Sequence, residues 1–299
     1  MLTLIVTTLM VAVTAELIHQ VYVDTAISRG FRDGQQASLL AESGITGGKK
    51  LLQTYLSGKE YSSSADKWAT PTKLDDETGT IEITVTEESG KICLNDLVMS
   101  NGDFEPFTQA ALMRLGKRLQ IPDDVWSALA DWLDSNDEQR PGGAESSYYM
   151  TLKPAYRARN NKPLATLSEL SLVKGFTPEI VSKLVPFVTV YSEPGSSSLT
   201  RSKVNINTAP LEVIAALDKK IDDTLAERVL EERRLRPFKS VAELSRISGL
   251  EALSIELGKS ATVKGNVFRI TSVAQIKDTA RTVEAVIWLS GEVLSWQEY

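Results

Sequence analysis

Carboxylate and amide side chains are concentrated in one short stretch of the chain. The run Asp131-Trp132-Leu133-Asp134-Ser135-Asn136-Asp137-Glu138 is followed shortly by Gly142-Gly143-Ala144-Glu145. Hard cations such as Ca²⁺ bind about six to eight oxygens, and a loop that leaves a helix with acids at alternating positions can supply several of them. The stretch therefore predicts either a divalent-cation site or a solvated acidic loop whose side chains cap the neighbouring helices.

The spacing in this stretch resembles an EF-hand loop only in part. When Asp134 is counted as the first position, Asn136 is the third and Glu145 the twelfth. The sixth position of that motif requires glycine for a sharp turn, and this chain has Gln139 there. An EF-hand is therefore excluded, while a calcium site of another geometry stays open.

Residue counts exclude several classes of site. The single histidine, His19, lies inside the N-terminal hydrophobic segment, so it cannot form a catalytic site with residues of the polar remainder of the chain. The single cysteine, Cys93, excludes an intramolecular disulfide and a cysteine-rich zinc site. Paired carboxylates such as Asp131 and Asp134 allow acid–base chemistry in principle, but nothing else supports a hydrolase, so we predict that the protein is not an enzyme.

The N-terminal segment predicts a long helix. Between Leu2 and Val23 the only acidic residue is Glu16. A helix over these residues covers roughly 33 Å, which is enough to cross a bilayer. Apolar residues continue at helical spacing, so we predict one helix over residues 1–56, with bends or a melted stretch at its glycines. This pattern fits a helix that packs laterally against its own copies, and equally a membrane anchor followed by a core helix.

The rest of the chain predicts an α+β fold in which an antiparallel sheet is interrupted. Apolar residues alternate with polar ones over Thr80–Thr86 and Lys91–Leu97, which predicts a hairpin. Three β-rich runs near the C-terminus predict an antiparallel meander. We therefore predict a helix at 1–56, the first part of a sheet domain at 57–97, a mostly helical domain at 98–262, and strands that complete the sheet at 263–299.

The predicted helical domain contains an internal repeat. Pro163–Phe176 (PLATLSELSLVKGF) aligns without gaps with Pro237–Leu250 (PFKSVAELSRISGL). Each copy has an Asn-bearing turn, two helices and a short helix that ends at a glycine, here called the SxxEL segment, which reads TLSEL in the first copy and SVAEL in the second. We therefore place two units at about 98–190 and 204–262.

The second unit resembles helix-hairpin-helix (SAM-like) domains that bind DNA. Those domains use a Gly-apolar-Gly hairpin whose backbone amides approach a phosphate, whereas this chain has acidic residues in its hairpin at 217–223. The net charge of −6 also disfavours nucleic acid, because phosphate binding needs clustered Lys and Arg. A membrane-tethered protein for DNA binding or uptake stays as the alternative function, although we expect no nucleic-acid partner.

Several motifs in order resemble one family, the minor pseudopilin K of the type II secretion system (general secretion pathway protein K). The motifs are Ala130-Asp131-Trp132-Leu133-Asp134, Gly143-Ala144-Glu145, Tyr148-Tyr149, Tyr156-Arg157-Ala158-Arg159-Asn160, Leu167-Ser168-Glu169-Leu170, Val173-Lys174-Gly175-Phe176, Val204-Asn205-Ile206-Asn207-Thr208-Ala209 and Leu294-Ser295-Trp296. The resemblance covers nearly the whole chain.

This resemblance implies a pilin-like fold, in which a long N-terminal helix packs on a small antiparallel sheet and a large helical domain is inserted between the strands. It implies a single-pass protein of the bacterial inner membrane with a periplasmic domain. The implied function is to start and cap the pseudopilus with the minor pseudopilins I and J, for export across the outer membrane. The resemblance also implies a basic leader before Met1 that prepilin peptidase removes.

The resemblance further implies a structural calcium ion in the inserted domain. The family's ligands correspond most directly to Asp131, Asp134 and Glu145. Asn136 stands where many relatives have Asp, which implies a weaker ligand. With Asp137, these residues form the predicted set of metal ligands, and no other cofactor is expected.

Overall fold

The computed structural model describes residues 1–75, 78–158, 162–193 and 201–299. Its first element is a continuous helix, α1 (Leu2–Leu56), as the hydrophobic pattern predicts. Every residue up to position 32 is exposed, and this half of the helix is apolar and long enough to cross a membrane. From Asp33 onward one face of α1 is buried.

Glycines allow the second half of α1 to lie close against a sheet. A Cβ at Gly44 would stand 2.2 Å from Ser272 Oγ, and one at Gly48 would stand 2.9 Å from Ile270 Cγ2. The predicted melted stretch is wrong, because α1 is helical throughout. Packing against the sheet compensates for the low helix propensity of these glycines, which propensity alone does not take into account.

The sheet unites strands from both ends of the chain. Strands β1, β2, β7, β8 and β9 form an antiparallel sheet in that order. The nine strands within the described ranges are β1 (Thr72–Asp75), β2 (Thr80–Glu87), β3 (Ile92–Cys93), β4 (Val188–Thr189), β5 (Val204–Asn205), β6 (Ala261–Thr262), β7 (Val267–Ile276), β8 (Thr279–Trp288) and β9 (Val293–Glu298). Strands β2 and β7 pair from Thr80 opposite Gln275 to Glu87 opposite Phe268, so the predicted α+β fold with an inserted helical part is confirmed.

Two details of the predicted sheet are wrong. Strand β3 does not form a hairpin with β2 but pairs in parallel with β4. The reason is burial, because Ile92, Leu94 and Leu97 enter the core of the helical part. Strand β1 was not among the predicted strands, because its mostly exposed residues, TKLD, give little strand signal. The C-terminal meander is confirmed.

The helical part has its own hydrophobic core. Its α-helices are α2 (Pro106–Leu119), α3 (Asp124–Leu133), α4 (Ser146–Tyr149), α5 (Pro178–Leu184), α6 (Leu211–Leu217), α7 (Asp223–Leu235) and α8 (Leu253–Leu257). One cluster of buried residues spans these elements from Ile92 to Val263. A second cluster joins α1 to the sheet through residues such as Leu52, Trp68 and Phe268.

The two copies of the repeat adopt matching structures. Their SxxEL segments form the predicted short helices, Leu167–Leu172 and Val241–Arg246, which are of the 3₁₀ type. Gly175 and Gly249 follow with φ of +86° and +98°, a left-handed backbone that favours glycine. Each copy also carries one short parallel strand pair, β3 with β4 and β5 with β6.

The helical part and the exposed half of α1 lie at opposite ends of the sheet. At one end, Lys277 Nζ in the β7–β8 turn donates to Asp33 Oδ2 at 2.9 Å. At the other end, Lys264 Nζ donates to the carbonyl of Lys59, just beyond α1, at 2.6 Å. Because the inserted part leaves after β2 and returns before β7, it is attached at this second end.

Candidate metal centre

Helix α3 and helix α4 position the acidic residues of the predicted site. Asp131 lies in the last turn of α3, and Asp134 is the C-cap residue of that helix. Glu145 is the N-cap residue of α4. The rings of Trp132 and Tyr149 meet edge to face with centroids 5.0 Å apart. This aromatic contact joins the two helices, so the loop between them must fold back on itself.

Three of the five predicted ligands come together in the structure. Asp131, Asp134 and Glu145 are buried, and each presents a carboxylate oxygen within 4.8 Å of the others. Asn136 is half-buried, and its Oδ1 accepts a hydrogen bond from the Glu138 N–H at 2.7 Å. Asp137 is exposed. Asp137 lies outside the three-carboxylate cluster.

Arg140 is a member of the cluster that the sequence analysis missed. Its Nη1 donates to Asp131 Oδ1 and to Asp134 Oδ2, each at 2.6 Å. Its Nη2 donates to the carbonyl of Gly102, and its guanidinium lies 5.0 Å from the centroid of the Phe104 ring. The sequence could have indicated this role, because Arg140 is the only basic residue between Asp131 and Glu145.

The cluster contains three carboxylates and one guanidinium, so its negative charge is not fully balanced. Burial, with the neighbouring charges of Asp131 and Asp134, raises the pKa of Glu145 to about 7. Burial also raises the pKa of Asp131, although its hydrogen bonds with Arg140 oppose the shift. Both oxygens of Glu145 are buried without a hydrogen-bond partner among the described residues. Such a carboxylate requires a proton or a bound cation.

The donor set fits a hard divalent cation. Its potential ligands are all oxygens, which Ca²⁺ prefers, and nitrogen and sulfur ligands do not contribute to the described cluster. Gly143 is part of this arrangement, because a Cβ there would stand 2.0 Å from Asp131 Oδ2. Asp131, Asp134 and Glu145 are therefore the residues that would hold such an ion.

The helix-hairpin-helix segment presents a carboxylate where a phosphate would bind. Asp222 is the N-cap residue of α7, and its Oδ1 accepts a hydrogen bond from the Leu225 N–H at 2.8 Å. The positive end of that helix is thus already capped by a negative group. The expectation of no nucleic-acid partner stays a prediction that this geometry favours.

Sequence comparison assigns the chain to a family. Sequence models of "Type II secretion system (T2SS), protein K" match residues 90–193 and residues 204–264, together more than half of the chain. The chain belongs to the type II secretion system protein K family. The first matched segment contains the three-carboxylate cluster. Of the family motif at 156–160, Arg159 and Asn160 lie outside the described residues.

Individual proteins K from other bacteria are also similar to this chain in sequence. The type II secretion system protein K of Pseudomonas aeruginosa is 30% identical over 230 residues, which cover 74% of this chain and 65% of that protein. The Klebsiella pneumoniae protein is 29% identical over 136 residues, 42% of this chain and 40% of the relative. The alignments thus span less than two thirds of the length of these relatives.

A solved structure has the same fold. It is the GspK chain in the crystal structure of the GspK–GspI–GspJ complex from the type 2 secretion system of enterotoxigenic Escherichia coli. The two chains superpose with a TM-score of 0.77 at 23% identity, over 91% of this chain and 99% of the other. The shared fold therefore extends over most of this chain.

Proposed function

We propose that this protein is a minor pseudopilin that starts and caps the pseudopilus of a type II secretion system, for export of proteins across the outer membrane. The supporting observation is that the helical part and the exposed half of α1 lie at opposite ends of the sheet. An exposed apolar helix packs in a membrane or against neighbouring helices. The bulky part at the far end then blocks the addition of another subunit.

In this proposal the exposed half of α1 crosses the inner membrane once, and the remainder lies in the periplasm. The protein acts by assembly and not by catalysis. Its partners are counterparts of GspI and GspJ, the proteins named in the crystal structure with the similar fold. Because the shared fold is established at low sequence identity, the partners require a direct test.

The test of partnership uses the full chain in detergent, co-expressed with its I and J counterparts. We expect one complex of the three chains on size exclusion, and separate elution would contradict the partnership.

The test of capping replaces residues 90–263 by a short Gly-Ser linker. Because Glu87 and Phe268 are paired neighbours, the linker closes β2 onto β7. We expect longer pseudopili from this variant, and an unchanged length would contradict a cap.

We further propose that Asp131, Asp134 and Glu145 bind a structural Ca²⁺, with Asn136 and Asp137 as weaker or outer ligands. The ion would supply positive charge to three buried carboxylates and would hold the loop between α3 and α4. The unpartnered oxygens of Glu145 support this proposal. Full-length protein should melt at a higher temperature in Ca²⁺ than in EDTA, because a ligand that binds only the folded state stabilises it. Identical melting temperatures would contradict calcium binding.

A further inference from the structure

The Arg140 guanidinium occupies a position in the acidic cluster that resembles that of a bound metal. Its Nη1 stands 2.6 Å from one oxygen of Asp131 and 2.6 Å from one oxygen of Asp134. Calcium ions bind carboxylate oxygens at about 2.3–2.6 Å. A calcium ion shared by these two carboxylates would therefore lie at, or within a few ångströms of, the place that Nη1 holds.

The Arg140 guanidinium and a calcium ion within a few ångströms of each other would repel strongly. The cluster is buried, so water screens the charges weakly and like charges repel more strongly than at the surface. The guanidinium can reach solvent, because the Arg140 side chain is 16% exposed, whereas the side chains of Asp131 and Asp134 are fully buried. Rotation of the Arg140 side chain would move its charge towards water.

We infer that Arg140 and Ca²⁺ compete for the Asp131–Asp134–Glu145 cluster. This inference rests on the calcium proposal above. Without calcium, the guanidinium pairs with two of the three carboxylates and keeps the loop folded. When calcium binds, Arg140 leaves the cluster and releases the carbonyl of Gly102, so the contact between this loop and residues 99–104 weakens. Arg140 thus lowers the calcium affinity and links the ion to a second loop.

The test compares calcium titrations by calorimetry of the full chain in detergent. Arg140→Met removes the charge without adding an oxygen ligand, and we expect it to bind Ca²⁺ about tenfold more tightly than the unmodified protein. In EDTA the same variant should melt at a lower temperature, because the cluster has lost its internal cation. Arg140→Lys, which retains a positive charge, should keep the affinity close to that of the unmodified protein.

Arg201→Met is the matched control. Arg201 donates to Glu105 Oε1 at 2.8 Å and stacks 4.4 Å from the centroid of Phe107, an ion pair and ring contact like those of Arg140. Its loss should lower the melting temperature without changing calcium affinity. Equal or weaker calcium binding by Arg140→Met would overturn the competition while leaving the calcium site intact. No binding by any of these proteins would overturn both proposals.

Hydrogen exchange gives a second measurement that needs no variant. Added Ca²⁺ should slow amide exchange between residues 131 and 145 and accelerate it at residues 99–104, because Arg140 no longer holds the Gly102 carbonyl. Unchanged or slower exchange at residues 99–104, with calcium bound, would overturn the inference.

Discussion

Asn95 and Asn207 make the same pair of hydrogen bonds in the two copies of the repeat. Asn207 Nδ2 donates to the carbonyl of Phe238 and its Oδ1 accepts from the Phe238 N–H, both at 2.9 Å. Asn95 bonds Leu164 in the same way, at 3.0 and 2.7 Å. Leu164 and Phe238 are equivalent positions of the aligned repeat. Each asparagine therefore joins the turn at the start of its unit to the chain before the SxxEL segment.

This relationship predicts different costs for the two asparagines. Asn207 is fully buried, so Asn207→Ala leaves the N–H and carbonyl of Phe238 without those partners and should lower the free energy of unfolding by about 2–4 kcal/mol. Asn95 is half-buried, and water can replace part of its contacts, so Asn95→Ala should cost about 1–2 kcal/mol. Urea unfolding followed by tryptophan fluorescence measures both values. A larger cost at Asn95 would refute the argument from burial.

Two glycines of α1 should respond to alanine with opposite signs. Gly44→Ala places a Cβ against Ser272 and Ile81, so it should destabilise the protein by about 1–3 kcal/mol. Gly47→Ala meets nothing within 4 Å and should stabilise it by about 0.5–1 kcal/mol through helix propensity. Thermal unfolding of the two variants decides the point. Stabilisation by Gly44→Ala would show that α1 does not lie this close to the sheet.

Calcium affinity should distinguish the buried cluster from the exposed part of the acidic loop. Asp131→Asn removes a carboxylate charge from the cluster, so we expect calcium affinity to fall at least as much as on loss of an outer-shell partner, about 10–100-fold. Asp137→Asn removes an exposed charge, and we expect a change of less than about fivefold. Calorimetric titration of both variants measures the difference. Equal losses would place Asp137 among the direct ligands.

Glu87 should make stability depend on pH. Burial raises the pKa of Glu87 to about 7, although hydrogen bonds from Asn205, Ser62 and Thr208 lower it. Its oxygen Oε2 is buried without a hydrogen-bond partner among the described residues. The folded state therefore binds the proton more tightly than the unfolded state, whose carboxyl has an ordinary pKa. The contribution to stability is present below pH 4.5 and is lost as the pH rises to about 7.

The variant Glu87→Gln isolates this effect, because glutamine cannot ionise. The difference in free energy of unfolding between the two proteins should change by roughly 3 kcal/mol across that window, with the natural protein losing stability as pH rises. Urea unfolding at a series of pH values provides the measurement. A difference in free energy of unfolding that does not change with pH would mean that the pKa of Glu87 is the same in the folded and unfolded states.

Local patterns were enough to predict several elements. The helix α1, the meander of β7, β8 and β9, and the repeat around the SxxEL segments all follow from spacing between near neighbours. The acidic stretch 131–145 was a candidate cation site from its composition, and the family resemblance singled out Asp131, Asp134 and Glu145 within it. In each case the interacting residues are close in sequence, so side-chain type and periodicity carry the information.

Contacts between distant segments were decided by the tertiary structure. Strand β3 pairs with β4 instead of β2 because Ile92 is buried in the helical core, and α1 stays helical through Gly44 and Gly48 because the sheet packs on them. Arg140 enters the carboxylate cluster because α3 and α4 fold the loop back on itself. The sequence thus determined most of the segments that form helices and strands. Burial, summed over residues far apart in the chain, decided which of them meet.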